Sequence, residues 1–327
     1  MNKPNHYNYQ DRRFYDDLQV FQDWLAQQHY ARPTIRQFIN YAGCFLDWIE
    51  QAGLSATEVR YAHLLDYIDY YQREDSIRLL NRKLHSIRQY YDWLQYKEVT
   101  EHNPATGMIL KGSKSSVPHD LLDQATLEQL YQRYLVTDRR SERNHILLGL
   151  LIYQALTTEE LHKLRPQDID LRFAQLSTPK GCQTKPRVLP LQAHQIIPLQ
   201  HYLEQTRPQI LADIYAHQSK PTGYRSGRRP QTIKAEQLER QLFFSMNGSV
   251  NIKSSIDFLI QALQAVNPSV RSASHIRQSV ISEWLKVKDV RKVQYLAGHR
   301  RIIATERYLA HHLEDLQESL QRHHPLG

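Results

Sequence analysis

The sequence is poor in the features that mark secreted and membrane-spanning proteins. Only two of its 327 residues are cysteine, Cys44 and Cys182, and they lie too far apart in sequence to suggest a disulfide framework. No run of eighteen apolar residues is present, so no membrane-spanning helix is expected. The N-terminal stretch is polar and lacks the apolar core of a secretory signal. These absences predict a protein of the reducing cytoplasm.

Acidic residues are outnumbered by basic ones. The chain has 42 Lys and Arg against 34 Asp and Glu, which gives a formal net charge of +8. Such an excess points towards a polyanionic partner such as nucleic acid, although a merely basic protein has the same composition. Tyrosine is abundant, with 20 residues, so a tyrosine indicates a function only through its sequence context.

The histidine pairs near the C-terminus do not indicate a metal site. His311 and His312, like His323 and His324, are adjacent, and adjacent residues do not share a helix face. No set of carboxylates and cysteines with ligand spacing accompanies them. Neither a metal nor another cofactor is expected.

Residues 1–110 are predicted to form a helical domain. Apolar residues recur at three- and four-residue steps in four segments between residues 14 and 94. We place the start of the second helix at Thr34 and its stop signal at Gly53. The fourth helix carries basic residues that form either a solvated face or a surface for phosphates: Arg78, Arg82, Lys83 and Arg88.

Two further basic segments lie outside the predicted helices. Residues 111–118 are small and polar and include Lys111 and Lys114, a composition typical of a linker between domains. Residues 218–234 form a loop that is either disordered or ordered by a polyanion. Its arginines are Arg225, Arg228 and Arg229.

A second domain is predicted at residues 119–310, opening with a helix capped by Asp123. Short extended stretches at 174–178 and 187–191 flank a turn with Lys180, which predicts a hairpin. Further helices are predicted at 145–156, 158–164, 252–266, 276–287, 290–296 and 303–310.

The arrangement with the clearest chemistry lies near the end of the chain. Gly298-His299 is followed nine residues later by Tyr308, and Arg277 lies 22 residues before His299. A phenol can attack phosphorus and hold a broken strand as a phosphotyrosine, without a cofactor. A guanidinium can bind a phosphate through two parallel hydrogen bonds and offset the charge of the transition state. The set therefore indicates strand cleavage in nucleic acid.

In order and spacing, this set resembles the tyrosine recombinases, also called phage-type integrases, over essentially the whole chain. Leu296-Ala297-Gly298-His299 is similar to that family's Leu-Gly-His motif, and Thr305-Glu306-Arg307-Tyr308 to its nucleophile motif. The resemblance implies a mainly α fold. Its first domain would be a helical core-binding domain, and its second a mostly helical catalytic domain with one small antiparallel sheet.

The resemblance also implies site-specific DNA strand exchange. Tyr308 would be the nucleophile, and Arg277 and His299 would bind the scissile phosphate. Lys180 matches the hairpin lysine that protonates the leaving 5′-oxygen, with Lys185 as a second choice. Three residues before the arginine, where the family has histidine, Ser274 stands and is expected to cap the helix.

His275 is displaced by one residue from that histidine position. On a helix this displacement turns the ring by about 100 degrees. His275 is kept as a further candidate for the site.

The family motif Gly-Leu-Arg-x-x-Glu-Leu is altered in this chain. Residues 155–161 read Ala-Leu-Thr-Thr-Glu-Glu-Leu, so Thr157 stands where the first catalytic arginine is expected. Losing one transition-state donor costs roughly 10²–10³ in rate. Either another arginine supplies the charge, with Arg187 first and Arg165 or Arg172 next, or the chain is a catalytically weak relative that binds DNA architecturally.

Further expectations follow from the resemblance. Double-stranded DNA would be the partner, clamped between the two domains, with four protomers around two duplexes. Residues 311–327 are predicted to form a tail helix with one apolar face, packing on its own domain or on a neighbouring protomer. A type IB topoisomerase shares the tyrosine chemistry, but the core-binding bundle and the tail argue against it. A nucleoid-associated enzyme of a mobile element fits these expectations.

Overall fold

The chain divides into two compact units, Met1–Ser115 and Ser116–Gly327, each with its own hydrophobic core. The structure, a computed structural model, describes residues 15–112, 120–218 and 235–309. The division falls inside the predicted linker. Within these ranges, no helix combines the length and the apolar character that crossing a membrane requires.

The first unit is a bundle of four helices around a core rich in aromatic side chains. Phe45 makes edge-on ring contacts with Tyr67 and Tyr91, at centroid distances of 5.6 and 6.1 Å. The four helices predicted from the apolar periodicity are confirmed. Their bounds are α1 (Tyr15–Gln27), α2 (Arg32–Gln51), α3 (Tyr61–Gln72) and α4 (Ile77–Tyr96).

Helix α2 begins two residues before the predicted start. It opens at Arg32 with Pro33 in its first turn, where the missing N–H of proline removes no helical hydrogen bond. Thr34 therefore lies inside the first turn, and its prediction as the start signal is wrong. The stop at Gly53 is confirmed, because this residue has φ +71° directly after the helix ends.

Lys83 does not lie on an exposed face of α4. It is buried, with its Nζ 2.5 Å from the Asp75 carboxylate and 3.7 Å from the centroid of the Tyr71 ring. The prediction that places Lys83 on the polar face is wrong, because an acidic partner from outside the helix draws its ammonium group inwards.

Arg88 is also engaged with its own domain. Its Nε donates to the main-chain oxygen of Ala105 at 3.0 Å, and its Nη2 to that of Met108 at 2.8 Å. Arg88 therefore stabilises the segment after α4 and is half-buried rather than free on the helix surface. Arg78 and Arg82 are exposed, as predicted.

The second unit packs helices around a small antiparallel sheet. Its strands run in the order β1 (Ile169–Asp170), β2 (Gln175–Thr178) and β3 (Arg187–Pro190), which confirms the hairpin and adds one short strand. The helices are α5 (Gln124–Gln132), α6 (Arg139–Tyr153), α7 (Thr158–Lys163), α8 (Ala193–His201), α9 (Arg207–Gln218), α10 (Ala235–Arg240), α11 (Lys253–Val266), α12 (Ala273–Val287) and α13 (Val290–Ala297), followed by the helical segment 303–309.

The register of the hairpin decides where Arg187 points. Thr178 pairs with Arg187, and Leu176 pairs with Leu189. Successive side chains of a strand point to opposite faces, so these four residues share one face. All four are buried. The strand therefore carries the charged side chain of Arg187 into the interior of the unit.

The helices α8 and α9 are absent from the sequence prediction. Pro198 lies inside α8, and a π-helical turn at Tyr202–Thr206 joins the two helices. Both features break the constant step on which a periodicity argument depends. The cap predicted at Asp123 is confirmed, because its carboxylate accepts a hydrogen bond from the Thr126 amide at 2.8 Å.

Several predictions fall outside the described residues. They concern the linker residue Lys114, the loop arginines Arg225, Arg228 and Arg229, and the tail at 311–327. The C-terminal histidine pairs also lie outside the described ranges.

Candidate active site

Tyr308 lies on the helical segment 303–309 and is only 2 % exposed. Its ring stacks against that of His299, with centroids 6.4 Å apart and an interplanar angle of 11°. The guanidinium of Arg307 lies 5.3 Å from the Tyr308 ring centroid, and its Nη2 is 3.5 Å from the phenolic oxygen. The phenol therefore contacts both an imidazole and a cation.

The local backbone places His299 directly after α13. Gly298 ends this helix in the left-handed conformation with φ +70°, and His299 follows it. The Nδ1 atom of His299 lies 2.8 Å from the hydroxyl of Thr305, which fixes the ring plane. Burial, followed by the charge of Arg277, lowers the pKa of His299 to about 4. His299 is therefore neutral at physiological pH.

This shift predicts a pH dependence of stability. In the unfolded chain the imidazole titrates near its ordinary pKa of about 6.5, so between that pH and about 4 the unfolded state binds the extra proton. We expect the contribution of His299 to stability to be complete above pH 6.5 and to be lost as the pH falls towards 4. Melting temperatures of the parent and His299→Gln from pH 4 to 8 measure it. An unchanged difference between the two proteins across this range would contradict the prediction.

Arg277 projects from α12 into the same region and is 8 % exposed. Its Nη1 donates to the main-chain oxygen of Ala155, and its Nη2 to that of Ala297 at 2.6 Å. Burial lowers the pKa of Arg277 to about 10, so the guanidinium stays protonated at neutral pH. Because a guanidinium has about five N–H donors, others remain for a ligand.

Arg187 forms a buried ion pair with Glu160. Its Nη1 lies 2.5 Å from Glu160 Oε1, and its Nε donates to the main-chain oxygen of Leu296 at 2.7 Å. Burial raises the pKa of Glu160, but hydrogen bonding and charge from Arg187 outweigh it, so the pKa is lowered. The Nη2 atom of Arg187 is buried and has no hydrogen-bond partner among the residues that the structure describes. The side chain is thus fixed by its other two nitrogens, and the hydrogen-bonding capacity of Nη2 is not used within the described residues.

Thr157 shares Glu160 with Arg187. Glu160 Oε2 accepts hydrogen bonds from the Thr157 amide and hydroxyl at 2.8 and 3.0 Å, and the Thr157 hydroxyl accepts from the Glu160 amide at 3.1 Å. This capping box begins α7. The two other candidates, Arg165 and Arg172, are exposed, so of the three only Arg187 is buried beside this carboxylate.

Gly298 also leaves room for Arg187. A Cβ atom added at position 298 would lie 2.5 Å from Arg187 Nη1 and 2.9 Å from its Cζ. Such distances are too short for any side chain at this position. The glycine of the Gly-His motif therefore lets a guanidinium from the hairpin lie against the backbone that presents His299.

The hairpin joins the His299 loop through its main chain. Thr184 and His299 form an isolated β-bridge, and the Lys185 amide donates to the Gly298 oxygen at 2.9 Å. The side chains of Lys180 and Lys185 are exposed. The structure thus places the turn with Lys180 next to the buried cluster, although this ammonium group is not part of it.

His275 lies outside the cluster. Its Nε2 is 2.9 Å from the main-chain oxygen of Asp120, which gives the ring a structural partner, and it is 5 % exposed. The rotation of one helical step turns it away from Arg277, so its inclusion among the site residues is corrected. The capping prediction is also wrong: Ser272 caps α12 through the His275 amide at 3.1 Å, and Ser274 is exposed.

Comparison with known proteins shows which proteins the chain is similar to. No family model matches it. It is 24 % identical over 314 residues to the tyrosine recombinase XerC of Oceanobacillus iheyensis, covering 94 % of this chain and 95 % of that protein. It is also 24 % identical over 310 residues to the tyrosine recombinase XerD of Rickettsia conorii, covering 91 % and 95 %. Over nearly its whole length the chain is therefore similar to proteins named tyrosine recombinases.

Solved structures of tyrosine recombinases and integrases share its fold. XerH bound to palindromic difH substrate, in a post-cleavage complex, superposes with a TM-score of 0.63 at 16 % identity, covering 87 % of this chain and 78 % of that one. The Tn1549 transposon integrase in complex with circular intermediate DNA gives 0.58 at 13 % identity, covering 89 % and 94 %. The predicted fold, mainly helical with one small antiparallel sheet, is confirmed.

Two members of the buried cluster, Thr305 and Glu160, were assigned no function in the sequence analysis. Thr305 is fully buried and bonds His299, and Glu160 is fully buried and bonds Arg187. Thr305 lies inside the motif that ends in Tyr308, and Glu160 is retained in a motif that has lost its arginine. For Glu160, the retention of a carboxylate in a motif without its arginine is the sequence signal that could have indicated a basic partner elsewhere in the chain.

Proposed function

We propose that the chain is a site-specific recombinase that cuts and rejoins double-stranded DNA through a 3′-phosphotyrosine. The observation that carries the proposal is the buried cluster in which Tyr308 stacks on His299 while two arginines and one glutamate lie around them. The relatives named tyrosine recombinases, and the neighbours solved with DNA substrates, support the same reaction.

In the cleavage step, the Tyr308 oxygen attacks the scissile phosphorus and gives its proton to water. The bond from phosphorus to the 5′-oxygen breaks, and the departing oxygen takes a proton from Lys180. A 5′-hydroxyl of the partner strand then attacks the phosphotyrosine and returns a proton to Lys180. The new phosphodiester forms, and the departing phenolate takes a proton from water. The energy of the first bond is conserved in the tyrosyl ester, so the cycle needs no cofactor.

Arg187 is proposed to replace the first arginine of the family. Its open Nη2 and the remaining donors of Arg277 would bind non-bridging oxygens of the phosphate. The two arginines contribute two positive charges and Glu160 one negative charge, whereas His299 is neutral. With the Arg307 guanidinium beside the phenol, the site carries a net charge of two, which favours the binding of a phosphodiester monoanion.

A suicide substrate nicked beside the cleavage site tests the reaction. After attack, the short 5′ fragment diffuses away, and the protein stays attached to the 3′ end. A covalent complex that survives denaturation supports the recombinase. Its absence, with site binding intact, favours an architectural DNA-binding protein. Relaxation of a supercoiled plasmid by single protomers would instead indicate a topoisomerase.

The exposed basic residues predict a strong dependence of DNA binding on salt. Arg78, Arg82 and Lys111 are exposed and are proposed to contact phosphates, together with Lys114 and the loop arginines outside the described residues. Each neutralised phosphate adds about −0.9 to the slope of log affinity against log salt. We expect a steep slope for the parent and one shallower by about 0.9 for Arg82→Gln, measured by fluorescence anisotropy. A slope near zero would contradict DNA binding.

The assembly is proposed from the family and the tail. Four protomers would surround two duplexes, with the tail at 311–327 docking on a neighbouring protomer through Leu313, Leu316 and Leu320. Such an enzyme would act in the cytoplasm on DNA of the nucleoid. Its recombination sites would belong to a mobile element or to the host chromosome.

A further inference from the structure

Two residues of α7 hold the turn that carries Lys180. Glu159 accepts hydrogen bonds from the Cys182 amide, at 3.1 Å to Oε1 and 2.9 Å to Oε2. Lys163 donates from Nζ to the main-chain oxygen of Lys180 at 3.2 Å. The two side chains also form an ion pair one helical turn apart, with Nζ 2.7 Å from Glu159 Oε1. Together they bind the main chain at Lys180 and Cys182, on the two sides of Gly181. These contacts of Glu159 and Lys163 are called the clasp below.

Gly181 shows how closely the turn is packed. Its main-chain oxygen accepts a hydrogen bond from Arg300 Nη2 at 3.1 Å. A Cβ atom here would collide with the Thr184 hydroxyl and lie 3.4 Å from Glu159 Oε2. The turn is therefore held by hydrogen bonds from two elements, α7 and the loop that contains His299 and Arg300.

The carboxylate of Glu159 is ionised across the useful pH range. The hydrogen bond from Lys163 lowers the pKa of Glu159 to about 2, helped by the amide of Cys182. An ionised acceptor holds a main-chain amide more strongly than a neutral one. The clasp therefore does not depend on pH near neutrality.

We propose that Glu159, with Lys163 as its partner, is a positioning residue that holds the turn so that the Lys180 ammonium reaches the leaving 5′-oxygen. The inference rests on the proposed function. Glu159 is engaged with Lys163 and the turn, outside the cluster around Tyr308. Glu159 is expected to affect catalysis only by positioning Lys180. A residue that merely supports the fold would instead slow cleavage of every substrate.

A substrate with sulfur in place of the bridging 5′-oxygen isolates this effect. Thiols have a pKa of about 8.5, against about 15.7 for water, so a thiolate leaves without a proton from a general acid. Loss of a general acid slows a phosphodiester by about 10²–10⁴-fold. We expect Glu159→Ala to slow cleavage of the phosphodiester about 10-fold or more, and Glu159→Gln less, because its amide oxygen still accepts from Cys182. On the sulfur substrate, both variants and Lys180→Ala should cleave at the parent rate.

Single-turnover cleavage of both suicide substrates is the measurement. The matched control is Glu236→Ala, which removes another acidic residue that pairs one turn along a helix, at 4.0 Å from Arg240, and should cleave both substrates normally. Equal slowing of Glu159→Ala on both substrates would assign it a scaffold role and overturn the proposal. So would normal cleavage of the phosphodiester, or failure of the sulfur substrate to rescue Lys180→Ala. Failure of the parent to form a covalent complex would instead overturn the proposed function.

Discussion

Replacing Tyr308 with phenylalanine is expected to abolish the covalent protein–DNA complex and leave DNA binding at the parent level. The substitution removes only the hydroxyl, which is the attacking group, and the remaining ring keeps its stacking on His299. The hydroxyl has one long contact, 3.5 Å from Arg307, so its loss should change stability little. Trapping on a nicked suicide substrate, with a gel shift on the intact site, measures both quantities.

Tyr295 provides the matched control for this experiment. It is 54 % exposed and its hydroxyl lies 3.3 Å from the main-chain oxygen of Val188, so a phenylalanine is tolerated there. Tyr295→Phe should trap DNA like the parent. If Tyr308→Phe still traps DNA and Tyr295→Phe does not, the nucleophile has been assigned to the wrong tyrosine.

Replacing Arg187 with lysine is expected to reduce the rate of cleavage by roughly 10²-fold or more, with little change in DNA affinity. Lysine keeps the charge beside Glu160 but lacks the planar fork and the open Nη2 proposed to bind the phosphate. Arg187→Ala should show the same loss of rate, but it leaves the buried Glu160 without its ion-pair partner, at a cost of about 3–5 kcal/mol in stability. Single-turnover cleavage at saturating protein separates rate from affinity.

Two further variants make the Arg187 experiment decisive. The double variant Arg187→Met with Glu160→Gln removes both charges together, so a folded but slow enzyme separates catalysis from stability. Thr157→Arg restores the arginine of the family motif but gives up the capping box with Glu160. If Arg187→Lys cleaves at the parent rate while Thr157→Arg accelerates cleavage, Arg187 does not compensate and the site is simply impaired.

The elements that sequence reasoning predicted correctly are those in which one local rule acts alone. The periodicity of the first unit gives its four helices, Asp123 gives a cap, and the hairpin follows from two short strands around Lys180. The buried position of Arg187 could have been predicted, because the alternation of side chains along β3 puts it on the same face as Leu189.

Other features depend on partners distant in sequence. Lys83 looks like a surface charge until Asp75 and Tyr71 are brought beside it. In the sequence His275 is a candidate site residue, but in the structure its ring hydrogen-bonds to the main-chain oxygen of Asp120. The clasp of Glu159 on the turn crosses 23 positions of sequence and joins groups that no motif pairs. Tertiary contacts of this kind leave no periodic trace in the chain.

The glycine at position 298 has a consequence for how this chain can evolve. Because a side chain there would displace the guanidinium of Arg187, the two positions are expected to be inherited as a unit. The left-handed backbone at Gly298, with φ +70°, already favours glycine there, and the guanidinium of Arg187 adds a second constraint. Among descendants of this chain, a side chain at position 298 should therefore be rarer while Arg187 is present than after Arg187 is lost.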